Sequence, residues 1–170
     1  MKKLLCIYCL LCMTALACAQ NLKFNANGKF KIVQFTDVHY IFNDPRAEVA
    51  IERINEVLNA ENPDLVMFTG DVIYGKPAEE GMRTVLEQVS KRKIPFAVTF
   101  GNHDDEQGLS REELLKIIQR IPYSLTSTTK GISGTTNFIL PVKSSDGQKD
   151  AELLYVFDSH SYSQIKEVGG

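Results

Sequence analysis

Apolar and polar positions alternate along this chain in blocks that change period. Phe30 to Thr36 (FKIVQFT) is a short apolar run and predicts a buried strand. Asp44-Pro45 then opens a helix, with proline in the first turn where its missing N–H costs least. Ala47, Ile51, Ile54 and Leu58 recur at helical spacing until Asn62-Pro63 stops the pattern. Leu65 to Thr69 (LVMFT) predicts a second strand. A helix follows from about Glu79 to Arg92, with Met82, Val85, Leu86 and Val89 on one face. Pro95 to Phe100 (PFAVTF) predicts a third strand. Ser110 and Glu113 form a capping box before Leu114, Leu115 and Ile118, in a helix that ends near Ile121-Pro122. Asn137 to Val142 and Leu153 to Phe157 predict two strands around the turn-rich Ser144-Ser145-Asp146-Gly147, hence a hairpin. Strand and helix in alternation predict a parallel sheet with right-handed crossovers, which the hairpin makes mixed. The fold class is therefore α/β.

The first residues stand apart from this pattern. Lys2 and Lys3 precede an almost wholly apolar run, Leu4 to Leu16, and Ala17-Cys18-Ala19 offers the small-x-small pattern that a signal peptidase reads. Residues 1–19 are expected to be a cleaved signal peptide, and residues 20–170 one domain. A buried first helix would need a polar face, which the run lacks. A lipoprotein anchor at Cys18 is disfavoured because Ala15 and Leu16 stand where a Leu and a small residue are usual. The expected localisation is export, to a periplasm or beyond the cell, with no stable membrane span once the leader is removed.

Cysteine usage agrees with this division. All four cysteines, Cys6, Cys9, Cys12 and Cys18, fall in the leader. The mature chain thus has no disulfide and no thiolate ligand or nucleophile. Removing Lys2 and Lys3 lowers Lys plus Arg from 19 to 17 against 21 acidic residues, a mature net charge of −4. This mildly acidic balance lacks the basic surplus of a nucleic-acid binder.

Candidate chemistry gathers where strands end. The first strand runs into Asp37-Val38-His39, the second into Gly70-Asp71, the third into Gly101-Asn102-His103-Asp104. In a parallel sheet these ends share one edge, where ligands of open α/β folds bind. Aspartates, imidazoles and an amide oxygen form a mixed O and N donor set suited to Mn, Fe or Zn. Asp37 and His39 are two apart, so on extended backbone both face the same way. Each cluster by itself is ordinary turn chemistry. Three in this order, each behind an apolar strand, predict a metal site.

D-x-H, then G-D, then G-N-H-D, over about Phe30 to Asp105, resembles the calcineurin-like metallophosphoesterase superfamily. The resemblance implies a sandwich of mixed β-sheets flanked by helices. It also implies a site for two divalent or trivalent metal ions, and hydrolysis of small-molecule or nucleotide phosphate esters. By motif, Asp37 and His39 would bind the first ion, Asp71 would bridge both, and Asn102 would bind the second. His103 would face the phosphate as proton donor or charge stabiliser rather than bind metal, with Asp104 orienting its ring. Two oxygens let one carboxylate bridge ions roughly 3.5–4 Å apart.

The family pattern continues with a single His and then Gly-His-x-His. This chain has neither, since its histidines are His39, His103 and His160. The expectation is an N-terminal part of a longer enzyme whose C-terminal part is missing here. The alternatives are a short protein with a damaged site, or a non-catalytic metal-binding or structural remnant of the same fold. Tyr74 completes the G-D-x-x-Y of purple acid phosphatases, but His39 already offers the ligand that their first motif lacks, so Tyr74 is read as a non-ligand. The resemblance is nearer to the non-purple branch. Asp158-Ser159-His160 repeats D-x-H behind the hairpin and is read as a structural or substrate-side loop.

Overall fold

The computed structural model describes residues 22–163 and 165; the expected leader, residues 1–19, lies outside the described residues. Strands form at each apolar run: β1 (Ile32–Phe35), β2 (Leu65–Thr69) and β3 (Phe96–Thr99). They pair in parallel in the order β1-β2-β3, with Val33 beside Val66 and Val66 beside Phe96.

The period of two in β2 divides the core. Val66 and Phe68 face one way, with Phe96 and Val98 of β3. Three helices cover that face: α1 (Glu48–Glu61), α2 (Ala78–Ser90) and α3 (Arg111–Gln119). Ile54 and Leu58, then Met82, Val85, Leu86 and Val89, then Leu114, Leu115 and Ile118 fill the layer. Leu65, Met67 and Ala97 face the other way, against Phe138, Leu140, Val142 and Val156.

These last residues belong to an antiparallel hairpin, β4 (Phe138–Lys143) and β5 (Asp150–Val156). The hairpin does not extend the parallel sheet, which corrects the expectation of a single mixed sheet. It forms its own two-stranded sheet. The physical reason is burial: edge pairing would leave Leu65, Met67 and Ala97 facing water, whereas stacking the hairpin covers them. Its outward positions, Ile139, Leu153 and Tyr155, remain exposed. The architecture is thus an α/β sandwich of two sheets, with helices on the outer face of the parallel one.

Element ends follow local chemistry. α1 begins at Glu48, three residues beyond Pro45, because Asp44 makes a turn instead. Its carboxylate accepts the backbone N–H and the guanidinium of Arg46. Asn62, at φ +43°, ends α1 and returns its N–H to the Leu58 carbonyl. α3 carries the expected capping box: Ser110 Oγ accepts the Glu113 N–H, and Glu113 Oε2 accepts the Ser110 N–H at 2.9 Å. Among the described residues, no helix is long and apolar enough to cross a membrane.

Candidate metal centre

Parallel pairing brings the C-terminal ends of β1, β2 and β3 to one edge, and hydrogen bonding continues past the strands. The Asp37 N–H donates to the Gly70 carbonyl (3.1 Å), His39 to Asp71 (2.9 Å) and Tyr40 to Val72 (3.0 Å). The backbone there is not extended. Asp37, His39 and Asp71 hold φ of +52°, +48° and +51°. Asp and His tolerate this left-handed region better than branched residues do. Left-handed backbone at both ends of Asp37-Val38-His39 therefore replaces the strand-like alternation expected from the sequence. Non-glycine residues in this conformation concentrate at functional sites.

Two glycines let the strand ends close. A Cβ on Gly101 would lie 2.1 Å from Asp71 Oδ1 and 2.5 Å from the Asp71 amide nitrogen. Gly70, at φ +108°, approaches the Gly101 backbone so closely that its own Cβ would stand 2.8 Å away. The Asp71 carboxylate occupies the space that any side chain at position 101 would need.

Asp71 is buried and central. Its Oδ1 accepts the His103 N–H at 2.9 Å, and its Oδ2 lies 3.4 Å from His39 Nε2. The atoms of His39, Asp71 and His103 that could ligate a metal all fall within 4.8 Å of one another. This mixed imidazole and carboxylate set fits a first-row metal. Asp37 is outside the trio, exposed, with its carboxylate accepting from Thr36 Oγ1 at 2.6 Å. Asn102 is half-buried at the same edge, and its Nδ2 donates to Tyr162 Oη at 2.7 Å, so Oδ1 is the atom that can ligate. His103, expected to face substrate, lies within reach of the other two candidate ligands, and the geometry permits either use.

Asp104 does not orient the His103 ring. It is completely buried, and its carboxylate accepts four backbone N–H groups: Val72 (2.8 Å) and Ile73 (3.2 Å) on Oδ1, Gly101 (2.9 Å) and Asp71 (3.0 Å) on Oδ2. It clamps the loop after β2 to the loop after β3. Burial pushes its carboxyl above the ordinary value, opposed by the Gly101, Ile73 and Val72 amides and assisted by the charge of Asp71. The ring contact belongs to Glu106, whose Oε2 lies 2.6 Å from His103 Nδ1. That carboxylate holds the His103 imidazolium above its usual value.

Glu106 was not singled out from sequence, although it stands three residues after His103 in the acidic run Asp104-Asp105-Glu106. Its position depends on a single 3-10 turn, Asp104–Gln107, which periodicity does not reveal. Tyr74 packs its ring on His103 (centroids 4.9 Å, 84°) and on His39 (5.3 Å) at the mouth of the site.

The second D-x-H has a structural part. Asp158 is buried, paired with Arg111 Nη1 at 3.0 Å, and accepts the N–H groups of Thr135 (2.8 Å), Thr136 (3.1 Å) and His160 (2.9 Å). Arg111 Nη2 in turn donates to the Gly101 carbonyl. The pair ties the end of β5 to the site loop. The His160 ring bonds Ser133 Oγ at 3.0 Å and is not in the metal trio.

The calcineurin-like phosphoesterase family profile matches residues 30–165. The chain belongs to the calcineurin-like phosphoesterase family. Among its relatives is Phosphatase DCR2 of Saccharomyces cerevisiae, 36% identical over 88% of this chain and 30% of the yeast protein. Probable inactive purple acid phosphatase 29 of Arabidopsis thaliana is 29% identical, over 95% of this chain and 48% of the plant protein. A probable glycerophosphodiester phosphodiesterase, GpdQ, of Arcobacter nitrofigilis is 27% identical over 74% of this chain and 50% of its own length. This calcineurin-like phosphoesterase chain therefore spans half or less of these relatives' lengths.

Proposed function

We propose that the protein is an exported, metal-dependent phosphoesterase that hydrolyses phosphate mono- or diesters at a two-metal site. The observation that carries this reading is the convergence of His39, Asp71 and His103 at the sheet edge in a chain of this family. Asp37, His39, Asp71 and Asn102 would hold the ions, with Asp71 shared between them. Such ions, when bound, supply positive charge that stabilises the phosphoryl transition state and lowers the pKa of water. His103 serves as the acid. Its ring gives a proton to the leaving oxygen, which otherwise departs as a costly alkoxide. Asp104 and the two glycines hold the loops so that these groups do not drift, because small misplacements forfeit the in-line geometry.

The family lends support for hydrolase chemistry, and the yeast relative's name is that of a phosphatase. A second reading, a non-catalytic remnant of the fold, is favoured by the plant relatives named as probable inactive phosphatases. Assay of the full-length protein separates the two. Chelator-stripped protein is expected to hydrolyse 4-nitrophenyl phosphate or a bis-ester only after Mn, Fe or Zn is restored. Asp71→Ala is expected to stay inactive in excess metal. Activity of Asp71→Ala within a few-fold of wild type would remove Asp71 from the bridging role, and a wild-type protein inert with every metal would favour the remnant.

A further inference from the structure

We propose that Tyr162 is a positioning residue for Asn102: its hydroxyl oxygen accepts the carboxamide N–H and so leaves Oδ1 to face a metal ion. This rests on the two-metal reading above, and it gives the second D-x-H segment a part in the site. Three observations carry it. Asn102 Nδ2 lies 2.7 Å from Tyr162 Oη, a side-chain bond across 60 residues of sequence. The backbone of Asn102 is held from both sides. Arg111 Nη2 donates to the Gly101 carbonyl, Ser161 Oγ to the Asn102 carbonyl at 3.3 Å, and the His103 N–H to Asp71. What remains is the side chain's own torsions, and the Tyr162 bond acts on those. The tyrosine is itself delivered by Asp158. The Asp158 carboxylate accepts the His160 N–H at 2.9 Å, with His160 at φ +68°, and this turn sends the chain after β5 back to the loop after β3. Because the same carboxylate pairs with Arg111, one buried ion pair places both Gly101 and the arm that carries Tyr162.

The chemistry follows from atom types. A carboxamide binds a cation through its oxygen only, because its NH2 donates and offers no acceptor. A flip about Cβ–Cγ would exchange the two and present N–H hydrogens to the ion. With Nδ2 engaged by Tyr162, that exchange gives up the Nδ2 bond, and Oδ1 stays on the opposite side. A cation on Oδ1 draws electrons from the amide and makes its N–H a stronger donor, so the ion and the Tyr162 bond support each other. Tyr162 is 48% exposed and lies in neither hydrophobic cluster of the core. Removal of its hydroxyl should therefore act on the metal and leave the fold intact.

The test uses the full-length protein, stripped of metal, as wild type, Tyr162→Phe, Tyr162→Ala and Asn102→Ala. In calorimetric titration with Mn, Asn102→Ala should lose one of two binding events. Tyr162→Phe is expected to weaken that same event roughly 10–100-fold, the usual loss when a ligand's outer partner is removed, with the other event and the melting temperature unchanged. The Mn concentration for half-maximal hydrolysis of 4-nitrophenyl phosphate should rise by the same factor. Tyr162→Ala should cost no more than Tyr162→Phe, since the hydroxyl and not the ring is what acts. In metal-free protein the Asn102 side-chain amide protons should move upfield in Tyr162→Phe, as a hydrogen bond is lost. Wild-type Mn binding in Tyr162→Phe, an unmoved Asn102 amide, or a raised KM for the ester with Mn affinity kept overturns the inference; loss of an ion in Asn102→Ala would leave the two-metal reading standing beside that failure. An Asn102→Ala protein that binds Mn as the wild type does would defeat the assignment of Asn102 as a ligand instead, and the inference with it.

Discussion

Asp104→Asn is nearly isosteric, yet it should be among the most damaging single changes in the domain. Oδ1 of Asp104 accepts from Val72 and Ile73, and Oδ2 from Asp71 and Gly101. A carboxamide has one acceptor oxygen. Whichever way it turns, its NH2 faces two backbone N–H donors, donor against donor, at a site with no exposed surface. Each buried N–H left without an acceptor costs about 1–3 kcal/mol, so two cost about 2–6 kcal/mol. Against a typical net stability of about 5–15 kcal/mol, that loss is large. The same change loosens the clamp between the loops after β2 and β3, so metal affinity should fall with stability. Urea unfolding of wild type and Asp104→Asn, together with calorimetric Mn binding, measures both. A ring-orienting Asp104 would instead lose turnover with its stability kept. Stability within about 1 kcal/mol of wild type would refute the four-amide argument.

Two further predictions concern the supports of the site. Gly101→Ala puts a Cβ 2.1 Å from Asp71 Oδ1, where the carboxylate must move; overpacking of this kind costs about 1–3 kcal/mol. Metal affinity measured by calorimetry should fall further than the melting temperature suggests, and unchanged affinity would show that Asp71 does not need its present position. Burial raises the Asp158 carboxyl, but the Thr135, His160 and Thr136 amides and the Arg111 charge outweigh it and hold the group below its ordinary value. A depressed folded value means stability that is present above the unfolded pKa of about 3.9 and lost as pH falls through the folded one. Asp158→Asn, which breaks a buried pair, should cost about 3–5 kcal/mol at neutral pH. The gap to wild type should narrow below about pH 4 in unfolding experiments run across pH, and a gap independent of pH would mean that the charge of Asp158 does not matter.

Much of the architecture was legible in local pattern because the core elements are strongly periodic. The runs at Leu65 to Thr69 and Phe96 to Thr99, the spacing of Met82, Val85, Leu86 and Val89, and the Ser110–Glu113 capping box each state a local preference that packing then satisfies. Parallel order follows from alternation of strand and helix, and it alone brings Asp71 and His103 to one edge although 32 residues separate them. Tertiary structure decided what each polar side chain faces. Asp104, adjacent to His103 in sequence, turns inward because four amides need an acceptor there, and Glu106 reaches the ring because a 3-10 turn carries it back. The left-handed backbone at Asp37, His39 and Asp71 comes from bonds between loops, which no local propensity encodes. The hairpin's place was decided in the same way. Its alternation announces two strands, but only the uncovered face of Leu65, Met67 and Ala97 determines that they stack on the parallel sheet rather than join its edge.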